Sequence, residues 1–131
     1  MAQRLSKVNL FTWVLLQKRI LTSEKVVKRG ILGPHRCIMC HVSYENSYHL
    51  FVDCVFSQSL WVLVLQGLNT IVPAHISVIT LFSTWKTRYP RMLNSHSLWN
   101  QVWLSIPKFI CWKLWLARND LIFNNSEHSP L

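Results

Sequence analysis

Residues Cys37 to Cys54 read CIMCHVSYENSYHLFVDC, and the rest of the chain is read outward from them. Cys37 and Cys40 form a CxxC, His49 follows after eight residues, and Cys54 after four more. Two thiolates two residues apart close on one ion through a tight turn. A second pair returned by a short connection completes a tetrahedron of three sulfurs and one imidazole, the donor set that suits zinc. All four positions are then filled by protein, so the pattern predicts a structural site with one Zn²⁺ and no place for a reacting water. On a regular helix, the five-residue step from His49 to Cys54 would set the two side chains about 140° apart. A helix is therefore expected to begin near Cys54, with His49 in the turn before it.

The same residues carry a resemblance. His49-Leu50-Phe51, Cys54 and Trp61, in the form HLFxxCxxxxxxW behind a CxxC, resemble the zinc-binding domain found C-terminal to the polymerase in plant non-LTR retroelement reverse transcriptases. Trp13 to Leu16 with Arg19, Thr22 and the run to Lys28-Arg29-Gly30-Ile31 resemble its N-terminal helices. Trp112, Trp115, Arg118-Asn119 and Phe123 resemble its W..W..RN...F ending. The likeness spans roughly Trp13 to Phe123. It implies descent from a polyprotein whose polymerase precedes this module, with the chain standing alone as a fragment, and its location there suggests a role in holding template RNA or DNA.

Composition is consistent with a folded, mainly α-helical domain organised around one CCHC zinc site. A chain of 131 residues is most simply one domain, 1–131, with its zinc core at 37–61 and a C-terminal helical region at 95–124. The hydrophobic fraction of 50% with seven Trp argues against disorder. Formal charge is +9, and eight of the basic residues lie between Arg4 and Arg36, with Glu24 the only acid there. Such a segment is attracted to phosphate backbones. Lys18, Arg19, Lys25, Lys28, Arg29 and Arg36 are accordingly the candidate contacts for nucleic acid; a solvated basic face is the alternative. Arg36 also adjoins Cys37 and would soften the surplus negative charge of a three-thiolate site.

No secretory leader opens the sequence, so the cysteines are read in an intracellular, reducing compartment, nucleus or cytoplasm, where CxxC means metal or redox chemistry. A thioredoxin-like CxxC needs a βαβ context that is not visible, which favours zinc. His35 and His41 are expected at the surface. Cys111, between Ile110 and Trp112, is expected to be a buried apolar side chain.

Along the chain the pattern is helical. The apolar run Val8 to Ile20, with Leu10, Val14 and then Gln17 to Leu21 spaced for one face, predicts a first helix. Thr22 is placed to cap a short second helix ending at Gly30, and Gly33-Pro34 turns the chain toward Cys37. Leu60, Trp61, Val64, Leu65 and Leu68 predict a helix after the zinc core. Leu60 to Phe82 has no formal charge and is long enough to span a membrane, but Gln66, Gly67, Asn69, Pro73 and His75 interrupt it. Two soluble core helices joined by an Asn69 to Pro73 bend, and no membrane partner, are expected. Arg88 to Ser97 reads as a loop. Beyond it Trp99, Trp103, Ile106, Ile110, Leu114, Ala117 and Leu121 make an amphipathic stripe, which Pro107 should kink or split. Trp112, Leu116 and Phe123 form a second stripe. A helix apolar on two sides is either central to the core or covered by a partner protein or a second copy.

The aromatics interleaved with Lys108, Lys113 and Arg118 have the spacing of a packed core as well as that of a base-stacking platform, and core is favoured. Trp61 is read as a lid over the metal site. Catalysis is not expected. Reverse transcription and ribonuclease H cleavage need clustered carboxylates for two metal ions. The acids here are only Glu24, Glu45, Asp53, Asp120 and Glu127. The expected function is a zinc-binding, nucleic-acid-associated accessory domain without polymerase activity. The alternatives are a protein-interaction module docking through the C-terminal helix, or a retroelement remnant with no selected function.

Overall fold

The computed structural model describes residues 2–20, 22, 36–66, 77–85 and 97–124. Among them the chain is mostly helical: α1 (Ala2–Leu16), a π-helical turn (His49–Asp53), α2 (Val55–Leu65), α3 (Val78–Trp85) and α4 (Ser97–Asn124). No strand occurs among the described residues; extended pairing is limited to one antiparallel bridge between Arg36 and Tyr44. The predicted Thr22 to Gly30 helix, the Asn69 to Pro73 bend, the Arg88 to Ser97 loop up to residue 96, His35, Lys25, Lys28 and Arg29 lie outside the described residues.

Helix α1 buries Val8, Phe11, Thr12 and Leu15, a face that recurs every three or four residues, and packs it on α4. Leu10, spaced with Val14 for one face, does not join the buried stripe: it is 64% exposed, because that stripe runs through its neighbours one position away. The helix also stops at Leu16, short of Ile20. Lys18 takes a left-handed conformation, φ 59°, and its N–H bonds to the Leu15 carbonyl while Arg19 N–H reaches Val14. These paired bonds close the last turn and end the helix.

Pro107 neither splits nor ends α4. A proline inside a helix has no N–H for the carbonyl four residues earlier, here that of Trp103. The Trp85 indole N–H donates to that carbonyl at 2.8 Å, and Trp103 returns its own indole N–H to the Trp85 carbonyl at 2.9 Å. The two rings stack with centroids 4.5 Å apart, so α3 is clipped to α4 at the proline. Of the expected α4 stripe, Trp103, Ile110 and Leu114 are buried, with Ile106, Ala117 and Leu121 packed against the core. The second stripe is less complete. Trp112 joins the core, while Leu116 and Phe123 are 45% and 75% exposed.

One cluster unites these elements. Phe11 of α1, Phe51 of the π turn, and Trp112 and Trp115 of α4 meet edge-on or tilted, with centroid separations of 5.3 to 6.3 Å. Phe51, Leu50 and Val52 are fully buried. The turn that carries His49 is thus embedded in the hydrophobic core, which restrains it far more than a surface loop would be.

Candidate metal centre

Two backbone devices bring four ligands together. The first is the hairpin of Arg36 to Tyr44. Cys37 N–H donates to the Ser43 carbonyl and His41 N–H to the Cys37 carbonyl, both at 2.8 Å, wrapping the CxxC into a tight turn. The turn requires φ 60° at His41, in the left-handed region that glycine would occupy without strain. His41 projects into solvent, as expected of it.

The second device is the π turn. Asn46 caps it by accepting the His49 N–H on its Oδ1 at 2.8 Å. Its i→i+5 bond, from Cys54 N–H to the His49 carbonyl, measures 2.7 Å. Widening the turn brings a residue five positions on to roughly one full turn, in place of the 140° of an α-helix. The expected break at Cys54 is present as well: Cys54 is extended, φ −60° and ψ 143°, and α2 starts immediately after it.

Breaking the helix there leaves carbonyls without helical partners, and α2 supplies side chains to three in succession. Ser57 Oγ donates to Leu50, Trp61 Nε1 to Phe51 at 2.9 Å, and Gln58 Nε2 to Val52. Trp61 is 1% exposed and its ring packs on Trp85. Its polar edge braces the backbone between His49 and Cys54, and its burial leaves no face for a base.

As a result Cys37, Cys40, His49 and Cys54 place one ligand atom each within 4.8 Å of all the others. Cys37 Sγ lies 3.9 Å from Cys54 Sγ, and Cys40 Sγ lies 3.3 Å from His49 Nε2. A tetrahedron with Zn–S of about 2.3 Å and Zn–N of about 2.05 Å has S···S edges of about 3.8 Å and S···N edges of about 3.5 Å. The donor set and its spacing fit one structural zinc. Cys37 and Cys54 are fully buried and His49 nearly so.

Electrostatics favour a thiolate at Cys37. The Cys54 thiol donates to the Cys37 sulfur, and with the N–H groups of Cys40 and Met39 and the nearby His49 it pulls Cys37 down to about 5. The same shared proton, with burial, pushes Cys54 up. The Phe56 N–H opposes that rise, since Cys54 sits at the N-terminus of α2 where backbone donors point at it. All four cysteines are free. Cys111 is buried as expected and stands apart from the four ligands, its thiol pushed up by burial alone.

Arg36 Nη1 donates across the hairpin to the Val42 carbonyl at 2.6 Å, and its guanidinium lies 5.5 Å from the Tyr44 ring centre. Lys18 and Arg19 are exposed at the end of α1. Sequence reasoning passed over Asn46, although an Asn three residues before His49 is a recognisable cap spacing. It also missed the buried Glu45, whose partner Arg118 is far along the chain; no local signal marks that pair.

Residues 2–61 match the family model described as zinc-binding in reverse transcriptase. This part of the chain holds all four candidate ligands and is similar to the zinc-binding module of reverse transcriptases. The match ends at Trp61, so it does not include the Trp112 to Phe123 segment. No curated protein and no solved structure matches the chain. No described helix is long and apolar enough to cross a membrane.

Proposed function

We propose that the chain is a retroelement-derived accessory module that holds single-stranded nucleic acid, with zinc fixing the geometry of its contact surface and no catalytic activity of its own. The observation that carries this is the pair Arg36 and Tyr44 on the zinc hairpin. Both side chains are exposed, Tyr44 by 67%, and the hairpin that joins them is closed by its own backbone bonds and anchored by two of the zinc ligands. A cation held beside an exposed aromatic ring offers phosphate pairing and base stacking side by side. Lys18 and Arg19, and an overall charge of +9, support the same reading. A reducing compartment suits it, because three ligands must remain thiolates.

The test is anisotropy of a labelled single-stranded RNA and its DNA counterpart with the zinc-loaded chain. If three phosphates are neutralised, affinity falls roughly 20-fold between 50 and 200 mM salt. Tyr44→Ala weakens binding at every salt concentration, and Arg36→Ala also flattens the salt slope. Absence of binding at 50 mM salt refutes the proposal.

A second reading rests on an apolar groove of about 320 Å³ between α2 and α4, lined by Leu60, Val64, Val102, Ile106, Phe109 and Ile110 with Lys113 at its edge. Its apolar lining suits the apolar face of an amphipathic helix from a partner protein. Affinity for such a peptide would change little with salt, and Val64→Asp would abolish it.

A further inference from the structure

Glu45 stands between Tyr44, which closes the zinc hairpin, and Asn46, which caps the His49 turn. Its side chain is completely buried and is met by Arg118 of α4 in a two-pronged pair: Nη2 to Oε1 at 2.7 Å and Nε to Oε2 at 3.1 Å. The remaining arm, Nη1, donates to Asn119 Oδ1 at 2.9 Å, and the guanidinium lies 4.7 Å from the Trp115 ring centre. Trp115 in turn packs on Phe51, in the middle of the π turn. One turn of α4 therefore grips the zinc loop on both sides of His49, through Glu45 before it and Phe51 after it. A forked guanidinium and carboxylate hold each other in a plane, which sets orientation as well as distance. Withdrawing α4 would take this forked pair away from a buried carboxylate, so the loop conformation that gathers the ligands is disfavoured unless the helix is docked.

We infer that Arg118 is a positioning residue for the metal site, acting through Glu45, and that zinc binding and the docking of α4 are reciprocally linked. The zinc-binding unit then includes a helix beyond the matched segment 2–61. The inference rests on the zinc reading of the four ligands. Linkage is symmetric: whatever factor docking adds to zinc affinity, zinc adds to docking.

Two measurements on the full chain test it. In the unaltered protein, hydrogen exchange at the amides of Leu114 to Leu121 is followed with zinc and after chelation under reducing conditions. Protection of these α4 amides is expected to fall at least tenfold on chelation, together with the Cys37 to Cys54 loop; unchanged protection in α4 while the loop opens would overturn the linkage. In the second, zinc affinity is measured by chelator competition for the unaltered chain, Arg118→Met, Arg118→Lys and the double variant Glu45→Gln with Arg118→Met. Arg118→Met is expected to weaken zinc at least tenfold. Arg118→Lys recovers part of the loss, as a charge without the fork, and the double variant recovers more by removing the buried charge that Arg118 balances. Cobalt spectra of the same variants report whether the S₃N geometry is distorted. Full-strength zinc binding by Arg118→Met overturns the coupling alone, whereas no zinc in the unaltered chain overturns the metal assignment with it. Should Arg118→Met fail to fold, the exchange experiment on the unaltered protein still decides.

Discussion

The backbone N–H of Cys54 bonds to the carbonyl of His49 at 2.7 Å, so two of the four candidate zinc ligands are also the two ends of one π-helical hydrogen bond. Their five-residue spacing, which an α-helix would turn into opposed directions, becomes roughly one complete turn.

Inserting an alanine after Val52 lengthens the step from His49 to Cys54 to six residues, which sets the two side chains about 120° apart on a helix and should separate the ligands. Elemental analysis of the purified, reduced protein is expected to give one zinc per chain for the natural sequence and close to none for the insertion. Retention of zinc by the insertion would show that the spacing closed by the π turn is dispensable.

Zinc affinity should rise with pH. Between about 5, where Cys37 has already lost its proton, and the raised range of Cys54, the pair holds one proton that the ion must displace. Each such proton is worth a factor of about ten in apparent affinity per pH unit, so affinity should climb at least tenfold from pH 6 to pH 7. Below pH 5 a second proton, on Cys37, makes the dependence steeper. Chelator competition across this range measures the slope; a flat profile would be inconsistent with thiolate ligation by this pair.

His41→Gly should stabilise the apo and zinc-loaded chain alike. His41 is exposed and held at φ 60°, where a side chain costs about 1 kcal/mol relative to glycine. Denaturant unfolding should show a higher midpoint at unchanged slope, corresponding to that gain in stability. A lower midpoint would mean that the imidazole makes a contribution that the hairpin geometry does not reveal.

Trp85→Phe keeps most of the stacked ring but removes the donor to the Trp103 carbonyl. The expected loss is about 1 to 3 kcal/mol, the cost of removing a donor from a buried carbonyl. Pro107→Ala restores a helical N–H for the same carbonyl. In a double-mutant cycle the Trp85→Phe penalty should therefore be smaller in the Pro107→Ala background, and strict additivity would argue against the compensation.

Much of this was readable locally. Cysteine and histidine at metal-ligand spacing declare a zinc site because only a few side chains can ligate and their order along a turn limits which can converge. The break at Cys54 followed from helix angles, and the α4 stripe from its three-and-four spacing. The face of α1 was less legible: with Leu10, Phe11, Trp13, Val14, Leu15 and Leu16 nearly contiguous, periodicity does not say which apolar residues turn inward. Leu10 and Trp13 are exposed because the partner surface, α4, covers only the Phe11 and Leu15 side.

The convergence of the four candidate ligands and the helical class were thus already contained in the linear chain, since both depend on local spacing. Contacts between distant segments settled the rest. Glu45 and Arg118 are separated by 73 positions, and Trp85 and Trp103 by 18, with nothing in either neighbourhood to announce its partner. A buried charge is tolerable only when its counter-charge arrives, and a proline inside a helix only when another donor reaches the freed carbonyl. Those conditions are met across space, so folding, and not local spacing, determines where they are satisfied.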